Sequence, residues 1–97
     1  MHQTIIKAIE ERRLMSFTYD NLPRVVEPHL YGVTHKNKEV LRCYQVDGEG
    51  IAPGGSHWLL IAAARIFDLT LLEGTFSEAR PEYRRDDPDM RTIYAQI

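Results

Sequence analysis

The stretch RLMSFTYDNLPRVVEPHLYGV, residues 13–33, constrains the fold most, because it carries two strand patterns around a turn and a proline inside the second. Met15, Phe17 and Tyr19 alternate with Ser16 and Thr18, the signature of a half-buried strand, and Asp20-Asn21-Leu22-Pro23 has turn chemistry. The following RVVEPHLYGV is aliphatic enough to be a second strand. Pro28 has no amide proton to give to a ladder, so it requires an edge, a bulge or a break, and Gly32 suggests a second bend. Arg24, Glu27 and His29 place charge where a plain hairpin would keep simple alternation.

An antiparallel pair needs partners, and the rest of the chain supplies them. TIIKAIEERR has Thr4 as a potential cap and Ile5, Ile6 and Ile9 as an apolar stripe, so a short amphipathic helix precedes the hairpin. After the polar turn THKNKE, EVLRCYQV reads as a third strand. DGEGIAPGGSH, with four glycines and a proline, reads as a long hairpin loop. WLLIAAARIFDLTLLEGTF fits either one helix or two strands; Phe67, Leu69 and Leu71 alternate with Asp68 and Thr70, which favours strands, although Ala62, Ala63 and Ala64 favour helix. SEARPEYRRDD is a charged connector. In DDPDMRTIYAQI, Asp87 is a candidate cap, Pro88 suits a first helical position, and Met90, Ile93, Tyr94 and Ile97 fall at i, i+3, i+4 and i+7. The expected architecture is therefore mainly β: a small SH3- or Sm-like antiparallel barrel over about residues 14–76, with a short N-terminal helix and a short C-terminal helix in an extension, 77–97. A sheet this short is expected to close on itself to hide its edges.

Ninety-seven residues provide for one domain and one small core. A net charge of −2 argues against a dedicated duplex-DNA binder, whose affinity rests on many phosphate contacts. Cys43 is alone, so neither a disulfide within the chain nor a multi-cysteine zinc site is expected. The start MHQTIIKAIEERR does not look like a signal peptide and no apolar run reaches membrane-spanning length, so a reducing cytoplasm is the expected location. His29, His35 and His57 lie on different segments without ligand spacing, and no metal or other cofactor is expected. The glycine-rich loop lacks the lysine and helix of a phosphate-binding loop. Ser16, Ser56, Ser77 and Cys43 have no recognisable base, so the chain is not expected to be an enzyme.

The succession AIEERRLMSFTY, RVVEPHLYGV, EVLRCYQV, Trp58 and RIFDLTLLEGTF, from about Ile5 to Phe76, resembles the WYL domain, and more closely free-standing bacterial proteins that are little more than that domain. The resemblance implies an Sm-like barrel that senses a negatively charged, nucleic-acid- or nucleotide-like ligand in a basic groove. It places Arg24 and Arg65 at two basic positions of the family motif, facing an anionic ligand. The triplet that names the family falls at Glu39-Val40-Leu41, where only Leu41 matches, and its R-x-D-R-I strand falls at Ala62, Ala64, Arg65 and Ile66. Read from the residues alone, Arg42 with Tyr31, Tyr44 and Trp58 could form a stacking platform for single strands. The expected ligand residues are thus Arg24, Arg42, Tyr44 and Arg65, the ligand being an anionic small molecule or single-stranded nucleic acid. Two alternatives stand beside this. Arg24 and Glu27 could form a structural pair inside the barrel, or the chain could be an interaction subunit whose sheet edge and C-terminal helix pair with a second copy or another protein.

Overall fold

In a computed structural model describing residues 1–97, the first hairpin turns on two residues. Asp20 and Asn21 both adopt positive φ, 52° and 62°, and Tyr19 pairs with Leu22, so the turn is a two-residue type I′ connection, tighter than the four-residue turn expected. Aspartate and asparagine tolerate this left-handed region better than other non-glycine residues. The strands it joins are β1 (Arg13–Tyr19) and β2 (Leu22–Thr34).

The remaining strands are β3 (Glu39–Gly48), β4 (Trp58–Ala62), β5 (Phe67–Thr75) and β6 (Met90–Gln96), preceded by the helix α1 (His2–Glu11). All six strands form one antiparallel sheet in the order β4-β3-β2-β1-β5, with β6 also paired to β2. β2 is long enough to hold two partners in succession along one side, β1 against Leu22–Val26 and β6 against Leu30–Thr34. On its other side it runs with β3.

Pro28 marks a bulge. It pairs with Cys43 and Leu30 pairs with Arg42, so His29 is the extra residue. This shifts the side-chain phase by one. Glu27, opposite Tyr44, and Leu30, opposite Arg42, consequently share a face although they are three residues apart, while Val26 and Tyr31 occupy the opposite face. Gly32 lies within the strand, between Val40 and Ile93, at a register shift against β6.

The inner face carries the main core: Met15, Phe17, Val26, Tyr31, Leu41, Cys43 and Ile61, closed by Ile5, Ala8 and Ile9 of α1. Thr4 lies inside α1, whose N-cap is Met1 without a side-chain bond. The outer face carries a smaller cluster, Leu30, Val40 and Met90, with Tyr83 and Ile93 against it. Residues 76–89, between β5 and β6, cover part of that face through bonds to β2 and β4.

The expected barrel closure and C-terminal helix do not form. β4 and β5, the two ends of the five-strand path, are joined through the 3₁₀ turn Ala63–Arg65, so the sheet is strongly curled, but they do not pair and the barrel is not closed. At that seam the Ala62 N–H donates to the Tyr19 hydroxyl (3.4 Å), a side-chain acceptor in place of a neighbouring strand. The C-terminal helix does not form; those residues are β6, integral to the sheet rather than an extension of it. A helix as short as 88–97 is marginal by itself, whereas the open ladder positions of Leu30–Thr34 satisfy every second group of a strand laid beside them. Asp87 caps no helix: it accepts the Asp89 N–H (2.9 Å) and pairs with Arg42. No helix is long and apolar enough to cross a membrane.

Candidate functional site

The four ligand residues expected from the sequence separate into two groups on opposite faces of the sheet. Arg24 follows the parity of Val26, which places its guanidinium at the end of the inner face, between Tyr19, Gln45 and the loop after β3. The residue is only 7% exposed. Its Nε donates to the Tyr19 carbonyl and its Nη1 to Gln45 Oε1, each at 3.3 Å, and the guanidinium carbon lies 5.5 Å from the Tyr19 ring centroid. Gly50, at φ 99°, lies so close that a Cβ there would be 2.7 Å from Nη2. No carboxylate pairs with Arg24.

Arg65 reaches the same tyrosine from the 3₁₀ turn. Its guanidinium carbon is 4.7 Å from the Tyr19 centroid, its side chain is 59% exposed, and it forms an ion pair with Asp20 of the type I′ turn. Gln45 organises the surroundings: buried, it donates through Nε2 to the Glu49 carbonyl (2.9 Å), and its backbone N–H donates to the His57 carbonyl (2.8 Å). The long glycine-rich loop is thereby tied at both ends beside Arg24, with the Glu49 N–H also donating to Pro23 (2.9 Å).

The Arg24–Glu27 pair does not form. Residues three apart on β2 point to opposite faces before the bulge, and Glu27 turns outward to Arg80, a residue of the charged connector. That contact is a bidentate fork, Nε to Oε1 at 2.7 Å and Nη2 to Oε2 at 3.0 Å, with Glu27 buried. Arg80 also lies over the Tyr44 ring, 4.5 Å from its centroid. Arg42 pairs with Asp87 at 3.0 Å and leaves its Nε buried without a partner. Tyr44 and Arg42 are thus on the outer face, engaged with the connector, and Tyr31, offered with them as part of a platform, is buried on the inner face.

His29, the bulged residue, is fully buried in the same outer layer. Its Nδ1 is 2.9 Å from the Glu27 carbonyl and its Nε2 is 3.0 Å from the Arg80 backbone nitrogen. Trp58, Tyr83 and Phe76 surround it, with centroids 4.8, 5.1 and 5.5 Å away. Burial lowers its pKa, with Arg80 acting in the same direction, against the bond to the Glu27 carbonyl and the Glu27 charge.

Tyr19, Gln45, Arg80 and Tyr83 were not singled out by sequence reasoning. Tyr19 lies in a strand pattern that reads as core, and Arg80 precedes the denser charge run Arg84, Arg85, Asp86 and Asp87 in a connector that reads as solvated. Compared with protein-family models, curated proteins and solved structures, the chain gives no match.

Proposed function

We propose that the protein is a cytoplasmic, non-catalytic sensing or regulatory module that takes a negatively charged ligand, a nucleotide or single-stranded nucleic acid, at Arg24, Tyr19 and Arg65. In this reading the curled sheet is an unclosed variant of the SH3- or Sm-like barrel of the WYL kind. The observation that carries it is the Arg24 guanidinium, 7% exposed and without a carboxylate partner. A buried charge held only by neutral acceptors costs several kcal/mol unless a counter-ion is supplied. A phosphate would supply it. Tyr19 offers a ring for a base, and Arg65, held by an exposed pair that contributes about 1 kcal/mol or less, is free to exchange Asp20 for phosphate. The ligand would enter by parting the glycine-containing loop from Arg24. Arg42 and Tyr44 are left out of this site because Asp87 and Arg80 occupy them.

The test is a fluorescence titration of short single-stranded oligonucleotides and common nucleotides at two salt concentrations. Wild-type binding should weaken about tenfold or more in Arg24→Gln and in Arg65→Ala, with the salt slope falling by about one in each. In the free protein, Arg24→Met should leave the melting temperature unchanged or raise it, since it removes a charge with no counter-ion. Absence of wild-type binding to every probe rejects the proposal.

A second reading is favoured by the free outer edges of β4 and β5, beside which Leu60 and Phe67 are 50% and 65% exposed. There the edges pair with a second copy or another chain. Light scattering that gives a dimer for the wild type and a monomer for Phe67→Glu would support it.

A further inference from the structure

We infer that residues 76–83 form a strap over the outer face that protonation of His29 releases. The inference concerns the face opposite Arg24 and is independent of any ligand there.

The two hydrogen bonds of the imidazole fix its state. The Glu27 carbonyl can only accept, so Nδ1 carries the proton; the Arg80 backbone N–H can only donate, so Nε2 must be bare. A proton added at Nε2 would set one N–H against another at 3.0 Å. Full burial leaves no water to take over the lost acceptor.

The charged groups facing the ring do not change this outcome. Glu27, on the same strand, favours an imidazolium, but both its oxygens are already engaged by the Arg80 guanidinium, which opposes one. The Tyr83 hydroxyl donates to the His29 carbonyl, and Trp58 and Phe76 are neutral. From β3, Arg42 and Tyr44 are directed to Asp87 and Arg80.

The strap can leave without dismantling the sheet. At its start the Phe76 N–H donates to the Arg12 carbonyl and Arg12 Nη1 to the Ser77 carbonyl, each at 3.0 Å, which makes this end the hinge; beyond it, up to Asp86, the one backbone–backbone hydrogen bond is Tyr83 N–H to the Arg80 carbonyl. Beyond that hinge the anchors to the sheet run through side chains and converge on a few atoms: the Arg80 N–H on His29, the Arg80 fork on Glu27, the Trp58 indole N–H on the Pro81 carbonyl (3.0 Å) and the Tyr83 hydroxyl on the His29 carbonyl (3.2 Å). Segments held this way open locally at lower free energy than ladder-bonded strands. Opening bares Trp58 and Tyr44 and frees Glu27.

Hydrogen exchange across pH, corrected for the intrinsic rate, tests this in the full chain. Below about pH 6.5, the value of an unconstrained imidazole, and down to the lowered value of the buried one, the opening constant of the strap amides should rise about tenfold per pH unit. Amides of α1 and β1 should hold their protection. The lone tryptophan, Trp58, should shift its emission to the red in step. His29→Gln, whose amide oxygen can accept the Arg80 N–H at any pH, should abolish the acid dependence. Should that variant not fold, nitrogen shifts of the wild-type imidazole decide instead: a neutral Nδ1–H form whose protonation follows strap opening is expected. Flat strap exchange in the wild type, the same acid dependence in His29→Gln, loosening of the strap and the whole molecule in parallel, or an Nε2–H tautomer each overturns the inference.

Discussion

Removing Arg80 should destabilise the fold far more than its surface position suggests. Its side chain is 40% exposed, but the Glu27 side chain it clamps is 8% exposed and has no other cation. Breaking a fully buried pair costs roughly 3 to 5 kcal/mol and breaking an exposed one about 0 to 1, so a half-buried fork falls near 2 kcal/mol. Loss of the contact over Tyr44 adds about 0.5 kcal/mol. For a domain of this size about 2.5 kcal/mol lowers the melting temperature by roughly 10 to 20 °C. Thermal unfolding of Arg80→Ala, followed by circular dichroism near neutral pH, measures this. Because the loss comes from a stranded carboxylate, adding Glu27→Gln to Arg80→Ala should restore part of it, with a coupling of about 1 kcal/mol or more in the double-mutant cycle. A fall under about 2 °C, or strictly additive single variants, would refute the assignment. A coupling of Glu27 with Arg24 instead of Arg80 would return Arg24 to a structural role.

Gly32→Ala should cost at least about 2 kcal/mol and loosen β6, since the new methyl would lie 2.3 Å from the Thr92 carbonyl oxygen, where backbone has to move; hydrogen exchange confined to residues 90–96 locates the effect, and an unchanged melting temperature contradicts it. Cys43 is fully buried and its burial pushes the thiol pKa well up, so iodoacetamide at pH 8 should label it only after denaturation. Rapid labelling of the native protein would show that the core is open.

The sequence was legible where side-chain period matched backbone period. The hairpin, β3, β4 and β5 follow alternation, turn chemistry and the limits of a proline in a ladder. β6 was misread for a physical reason. Against β2, Met90, Ile93 and Gln96 stand opposite Thr34, Gly32 and Leu30, with register shifts near both ends, so two steps on β2 correspond to three on β6. Bulges thereby give a strand a repeat of three, and the sequence shows apolar residues at i and i+3 as a helix would. Closure failed to follow from strand count for a related reason, because the short 3₁₀ link brings β4 and β5 near each other without aligning a ladder.

The charges in RVVEPH have a common explanation once parity and the bulge are combined. Parity sends Arg24 inward and Glu27 outward, so the two cannot serve each other, and each needs a partner from elsewhere in the chain. Glu27 has one, brought by a connector 53 residues further on, together with the Arg80 N–H that His29 requires. The bulge at His29 is what lets both outward groups meet that connector while Tyr31 returns to the core. Arg24 has neutral acceptors, a tyrosine ring and a glycine against its guanidinium, and no anion. Two buried charges three positions apart on one strand thus differ in a single respect: one is balanced within the chain and the other is not. That asymmetry, rather than the number of arginines, singles out the inner end of β2 as the place where an anion would change the energy of the molecule most.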